Sequence, residues 1–138
     1  MIFEILLAGV LAAGAEHAIL DEVNAHRRQL GLRALDWNDR AAGEARRHCG
    51  ALLRSAAADP HAGFQQRAAR LMRETGAKSV AENVLLMEGG GFTPRQALEG
   101  WLKSTGHRRS IEGDFSMSGV GVAQRGGTVC TVQICLGP

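Results

Sequence analysis

Two imidazoles and a carboxylate stand where this chain's regular segments end. They are His61 in Asp59-Pro60-His61-Ala62-Gly63-Phe64, Glu82 in Val80-Ala81-Glu82-Asn83-Val84, and His107 in Ser104-Thr105-Gly106-His107-Arg108. These side-chain types bind divalent metals or move protons near neutral pH. Groups carried on loops over a rigid scaffold can meet in one place, so the expectation is that the three line a single solvent-accessible cleft. Zinc or another divalent cation could then be held by His61 and His107, with Glu82 as base for a metal-assisted, peptidase-like hydrolysis. Ser104 adds a hydroxyl three residues before His107, and a Ser–His nucleophile pair is the third chemical option. The chain has no strained Gly-x-Ser-x-Gly turn and no evident oxyanion loop to serve such a pair, and no catalytic residue is assigned. Asn83 and Arg67 read as structural supports, because an amide and a guanidinium tie loop backbones together well.

The elements that must position these groups follow from periodicity. Ile19, Val23, His26 and Leu30 recur at helical spacing, with Gly31 as the stop. Leu32 to Trp37 is a short connector. Asn38 or Asp36 can cap a second helix running through Ala41, Ala45, Cys49 and Leu52 to about Ala58, where Asp59-Pro60 ends it. A shorter helix spans Phe64 to Thr75, with Gly76 behind it. Ser79 to Met87 is a strand, and Gly89-Gly90-Gly91 a loop. Thr93, Pro94 and Gln96 make a capping box for a helix carrying Ala97, Leu98, Trp101 and Leu102 and ending near Gly106. Trp101 reads as core. Ser116–Gln124 and Thr128–Leu136 form a hairpin around Arg125-Gly126-Gly127. The last strands are apolar on both faces, so helices must cover both sides of the sheet. The prediction is an α+β fold: a three-layer α-β-α sandwich with a small, mainly antiparallel sheet.

Composition bounds the rest. A chain of 138 residues with 45% hydrophobic content makes one domain with a sizeable core. A net charge of +2, scattered basic residues, few aromatics and no Tyr argue against a nucleic-acid partner. The remaining histidines, His17, His26 and His48, read as solvated or structural, and His48 has no partner at metal-ligand spacing. The apolar run Ile5–Ala13 is too short to span a bilayer. Ala13-Gly14-Ala15 behind it fits a signal-peptidase site. Residues 1–15 therefore read as a signal peptide and 16–138 as the domain, with a retained apolar helix as the alternative. No Lys or Arg precedes the run, and Glu4 sits where a positive charge is expected.

Three cysteines leave at least one thiol outside any intramolecular bridge. Cys130 and Cys135 share a strand at an odd separation, so they are far too distant to pair and point to opposite faces. Cys49 could bridge to either one. The expectation is at most one disulfide, and three free thiols more readily than one bridge.

Asn24-x-x-Arg27, Gly31-Leu32-x-x-Leu35-x-Trp37-Asn38, His61-x-Gly63-Phe64-x-x-Arg67, Ala81-Glu82-Asn83-Val84, Trp101-x-x-Ser104-x-Gly106-His107-Arg108 and Gly119-Val120-Gly121-Val122 occur in one order along the chain. In that order they resemble the SCP-like extracellular domain of the CAP superfamily, and most closely its short bacterial-type members. The resemblance implies the α-β-α sandwich, secretion to an extracellular or periplasmic location, and a cleft lined by two His and two acids. His61, Glu82 and His107 match three of those positions. At the fourth, three residues after the tryptophan, this chain has Ser104, which leaves one carboxylate fewer. Glu99 is out of helical phase to replace it. The resemblance also implies varied roles without one shared reaction. The leading reading is therefore a secreted, monomeric module that binds a small molecule, lipid or protein partner. Metal-assisted hydrolysis is the alternative, and a purely structural domain comes after both.

Overall fold

The computed structural model describes residues 2–55 and 59–138, with side-chain surroundings from Ala13 onward. Helix α1 (Ile2–Gln29) leads into β1 (Asp36–Trp37), α2 (Asp39–Arg54), α3 (Phe64–Thr75), β2 (Ser79–Glu88), α4 (Pro94–Leu102), α5 (Thr105–Glu112), β3 (Met117–Arg125) and β4 (Thr128–Gly137). The strands form one mixed sheet in the order β1-β3-β4-β2, antiparallel except where β1 runs parallel to β3. Helices α2 and α3 cover one face and α1, α4 and α5 the other. The α-β-α sandwich expected from the sequence is the fold observed.

Local chemistry explains the element ends. Gly31, at φ +74°, closes α1: its N–H reaches Arg28 and the Leu32 N–H reaches Arg27, a Schellman pairing. Leu30, placed on the buried stripe by its spacing, is instead the exposed residue of that cap. The Asn38 carboxamide accepts from the Ala41 N–H and starts α2. Both bonds of the Thr93–Gln96 capping box form. Helix α2 stops at Arg54, where Ser55 turns extended, and residues 56–58, where its end was expected, lie outside the described residues. Most of the apolar run Ile5–Ala13 has its side chains outside them too.

Three expectations change. The helix from Thr93 does not run to Gly106: it ends at Leu102, and Ser104 caps a separate helix, α5, with Gly106 in its first turn. Short strand β1 was read as connector, because two residues carry no periodicity. The expectation of three free thiols is also overturned: Cys49 on α2 and Cys130 on β4 form a disulfide, with Cα atoms 5.5 Å apart. The face argument holds, since Cys130 joins the core under α2 while Cys135 lies on the other face as a buried thiol. Burial pushes the Cys135 thiol up to about 11.

Helix α2 lies unusually close to the sheet. A Cβ on Gly119 would collide with the Ala41–Ala42 backbone, and one on Gly121 with the Ala45–Arg46 backbone. Ala41, Ala42 and Ala45 are wholly buried there. The alternate residues Val120 and Val122 pack on the opposite core. The Gly-Val-Gly-Val motif is therefore a packing device, flat toward α2 and apolar toward α1 and α4. That second face is less apolar than the sequence suggested: Gln133 donates to Ser118, and Thr131 is buried nearby on β4.

Candidate functional site

Glu82 and Asn83 are consecutive on β2, so their side chains point to opposite faces of the sheet. The Glu82 carboxylate turns toward α2 and α3. Arg67, on the first turn of α3, grips it from two nitrogens, Nε to Oε2 and Nη2 to Oε1, each at 2.8 Å. Arg67 Nη1 donates to the Ala62 carbonyl at 2.7 Å, so the same guanidinium holds the loop before α3. His61 Nδ1 lies 3.2 Å from Glu82 Oε1. The backbone N–H of His61 donates to Asp59 Oδ1 at 2.8 Å, which fixes the turn around Pro60. The Glu82 side chain is 1% exposed and that of His61 40% exposed, so the imidazole faces solvent and the carboxylate does not.

His48 also belongs here, and the sequence reading missed it. Its Nε2 donates to the Pro60 carbonyl at 2.6 Å and lies 3.7 Å from Glu82 Oε1. A carbonyl only accepts, so Nε2 carries a proton. The structural reading of His48 was right in kind, but its place beside the site was not seen. The available signal was helical phase: position 48 falls beside the buried stripe of Ala41, Ala45, Cys49 and Leu52. His17 stacks on Trp37, and His26 Nε2 lies 2.7 Å from Glu112. Both are structural.

His107 reaches the site from the opposite layer. Ser104 Oγ accepts the His107 backbone N–H at 3.5 Å as the α5 cap, so this contact is to the backbone and not to the ring. Asn83 Nδ2 donates to the His107 carbonyl at 3.3 Å and is 3.4 Å from Gln133 Oε1. Asn83 Oδ1 is buried with no partner among the described residues. Burial, and then the charge of His61, lower the His107 pKa below the ordinary histidine value. Glu99 stays out of the site, paired with Arg95 on the exposed side of α4.

Both Glu82 oxygens are committed to Arg67, and His61 Nδ1 faces one of them. Among the described residues no group of three His, Cys, Asp or Glu side chains is disposed to hold a metal ion. A depression of about 390 Å³ opens beside His61, lined by Asp59, Gly63, Phe64 and Gln66 among others.

The fold is a three-layer sandwich whose edge strand β2 places Glu82 beside His61 and Asn83 against the His107 backbone. Residues 20–135 match the profile described as CAP, the cysteine-rich secretory protein family, and the chain belongs to that family. Solved structures agree with the fold. An extracellular protein containing a SCP domain from Bacillus anthracis superposes with a TM-score of 0.72 at 25% identity, covering 92% of this chain and 41% of that one. A cysteine-rich secretory protein from Staphylococcus aureus gives 0.70 at 19% identity, covering 92% and 39%. Venom allergen-like protein 4 of Schistosoma mansoni gives 0.66 at 14% identity, covering 89% and 88%. The chain thus spans about two-fifths of the length of the two bacterial proteins. No curated protein matches it by sequence. Among the described residues no helix is long and apolar enough to cross a membrane.

Proposed function

We propose that this CAP domain is an extracellular or periplasmic binding module whose recognition surface is the cleft between His61 and His107. The observation that carries the reading is the Arg67 clamp on Glu82. A general base or a metal-ligating carboxylate must be reachable by its partner, and the Glu82 carboxylate is 1% exposed with each oxygen already accepting from Arg67. The Ser104 hydroxyl accepts at the start of α5. What faces the cleft is a pair of imidazoles, suited to hydrogen-bonding a small molecule, lipid headgroup or protein partner. A divalent cation would have only those two protein ligands, one short of the three that catalytic zinc sites keep. A buried disulfide suits an oxidising compartment, and the solved relatives include proteins named as extracellular or outer-surface.

A leader cleaved near Glu16 fits the same reading. Glu16 is buried, paired with Arg46 and bonded to the Val122 N–H, which supports a mature start that keeps it. Mass spectrometry of exported protein reads the new start directly, and an intact Met1 in that protein would refute cleavage.

Zinc titration by calorimetry on the oxidised domain tests the site, beside His61→Ala, His107→Ala and a fluorogenic peptidase assay. The expected result is weak zinc binding, lost in either variant, with no turnover. Zinc-dependent peptide cleavage abolished in both variants would replace the binding module by a hydrolase.

A further inference from the structure

A second recessed site lies on the outer side of α2 and α3. Its walls are Glu44, Arg47, His48 and Ala51 from α2, and Gly63, Gln66, Arg67 and Arg70 from α3 and its cap. Each set is spaced i, i+3, i+4, i+7, so each is one stripe of its helix, and the two stripes face across a groove of about 410 Å³. That volume lies in the range of small-ligand sites, roughly 300–1,000 Å³. Ala51 and Gly63 contribute little bulk to its walls.

The chemistry of the walls is one-sided. The Glu44 side chain is 3% exposed and is held by Arg70 through Nε–Oε1 (2.9 Å) and Nη2–Oε2 (3.2 Å), and by Arg47 through Nη2–Oε1 (3.1 Å). Arg70 first, then Arg47, hold the Glu44 carboxyl below the usual range. Glu44 is therefore an internal anion that arranges two guanidinium forks and uses up its own oxygens on them. The Arg47 and Arg70 side chains remain 70% and 45% exposed, with N–H groups to spare. Arg67 is neutralised by Glu82 behind the wall. One carboxylate against Arg47 and Arg70 leaves a positive charge, since Glu74 near Arg70 is itself paired with Arg40, and the Gln66 amide adds a further donor. A planar fork with free N–H groups matches an oxyanion.

We propose that the α2–α3 groove binds an oxyanion, a phosphate or sulfate group, at the Arg47 and Arg70 forks, next to the depression beside His61, with which it shares Gly63 and Gln66. On their other sides Arg67 and His48 hold Glu82 and the Pro60 carbonyl. The oxyanion can be free in solution or carried on a lipid headgroup.

The test is a titration of the oxidised chain with inorganic phosphate at constant ionic strength, following the arginine Nε–H resonances by NMR. Saturable shifts are expected for Arg47 and Arg70. Arg47→Gln, which leaves Glu44 with Arg70, and Ala51→Glu, which adds a carboxylate at an exposed helical position, should each weaken binding about tenfold. Arg95→Gln, on α4, should change nothing. Far-UV circular dichroism confirms that each variant is folded. Sedimentation with phosphatidic acid vesicles, reversed by free phosphate, would place the oxyanion on a lipid. Saturable phosphate binding without sedimentation would place it in solution. Shifts that stay linear and match those caused by chloride, or equal losses in Arg95→Gln and Arg47→Gln, would overturn the proposal.

Discussion

Replacing Glu82 by Gln asks whether this carboxylate is a clamp or a reagent. The change keeps volume and shape but removes the charge, and sets an amide where two guanidinium N–H groups converge at 2.8 Å. The Glu82 and Arg67 side chains are 1% and 9% exposed, so Arg67 would be left as a poorly compensated charge in a dry place. Breaking a buried ion pair from one side costs about 3–5 kcal/mol. Arg67 keeps its bond to the Ala62 carbonyl and borders an open groove, which favours the lower end, about 3 kcal/mol. A domain of this kind has about 5–15 kcal/mol in all, so the variant should fold but melt much earlier. Urea denaturation without reductant, followed by circular dichroism and by the fluorescence of Trp37 and Trp101, measures the loss. A double variant, Arg67→Met with Glu82→Leu, should recover most of it, because apolar groups of similar size need no compensation. A loss below about 1 kcal/mol in Glu82→Gln would refute the clamp and return the carboxylate to the list of groups available for chemistry.

Three other outcomes are expected. The Cys49–Cys130 bridge spans 81 residues, and a chain-entropy treatment gives its loss in Cys49→Ala/Cys130→Ala as about 4.5 kcal/mol. Thiol counting on the oxidised protein should find one free thiol, Cys135, labelled only after unfolding, and three would contradict the bridge. His107 titrates below its unfolded value, so the unfolded chain binds the extra proton first; its contribution to stability is present above that unfolded value, near pH 6.5, and is lost as pH falls through the lowered folded value. NMR titration in His61→Ala should move the His107 pKa part of the way back up, and no movement would mean that the two rings are not neighbours. Trp101 is fully buried among Ile19, Val23 and Leu98, so Trp101→Ala should cost about 3–5 kcal/mol in chemical denaturation, and a loss under about 1 kcal/mol would contradict its place in the core.

What the sequence disclosed was whatever one segment decides for itself. Helix α3 was placed from Phe64 to Thr75 by its own periodicity and by Gly76, and the Thr93 box by three adjacent residues. The face parity of Cys130 and Cys135 needed only the strand period. The break between α4 and α5 was missed because Ser104 reads equally well as a helix residue or as a cap, and only the turn of the chain after Leu102 decides. The Cys49–Cys130 bridge, one of two pairings left open, was placed behind free thiols because proximity of α2 to β4 depends on Gly119 and Gly121 admitting the helix backbone, a fact about two segments together. His48 was missed for a related reason: helical phase puts it beside the buried stripe, but its partner is a carbonyl in another loop.

The Glu-Asn pair on β2 gives a physical account of how the cleft is held. Strand alternation sends Glu82 into one helical layer and Asn83 into the other. Through Arg67, Glu82 secures the loop that carries His61, and Asn83 secures the backbone of His107 directly. The segments that carry His61 and His107 are thus tied to the same strand from its two sides, by polar side chains that are themselves buried. An acid at position 104 would have added a second carboxylate to the cleft. Serine there serves the α5 cap instead, and that cap sets the helical turn on which His107 sits. Both departures from a chemically active site, the clamped Glu82 and the capping Ser104, have the same effect: they trade reactive groups for fixed positions. A site arranged in that way keeps its groups in place before any partner arrives, as the proposed binding role requires.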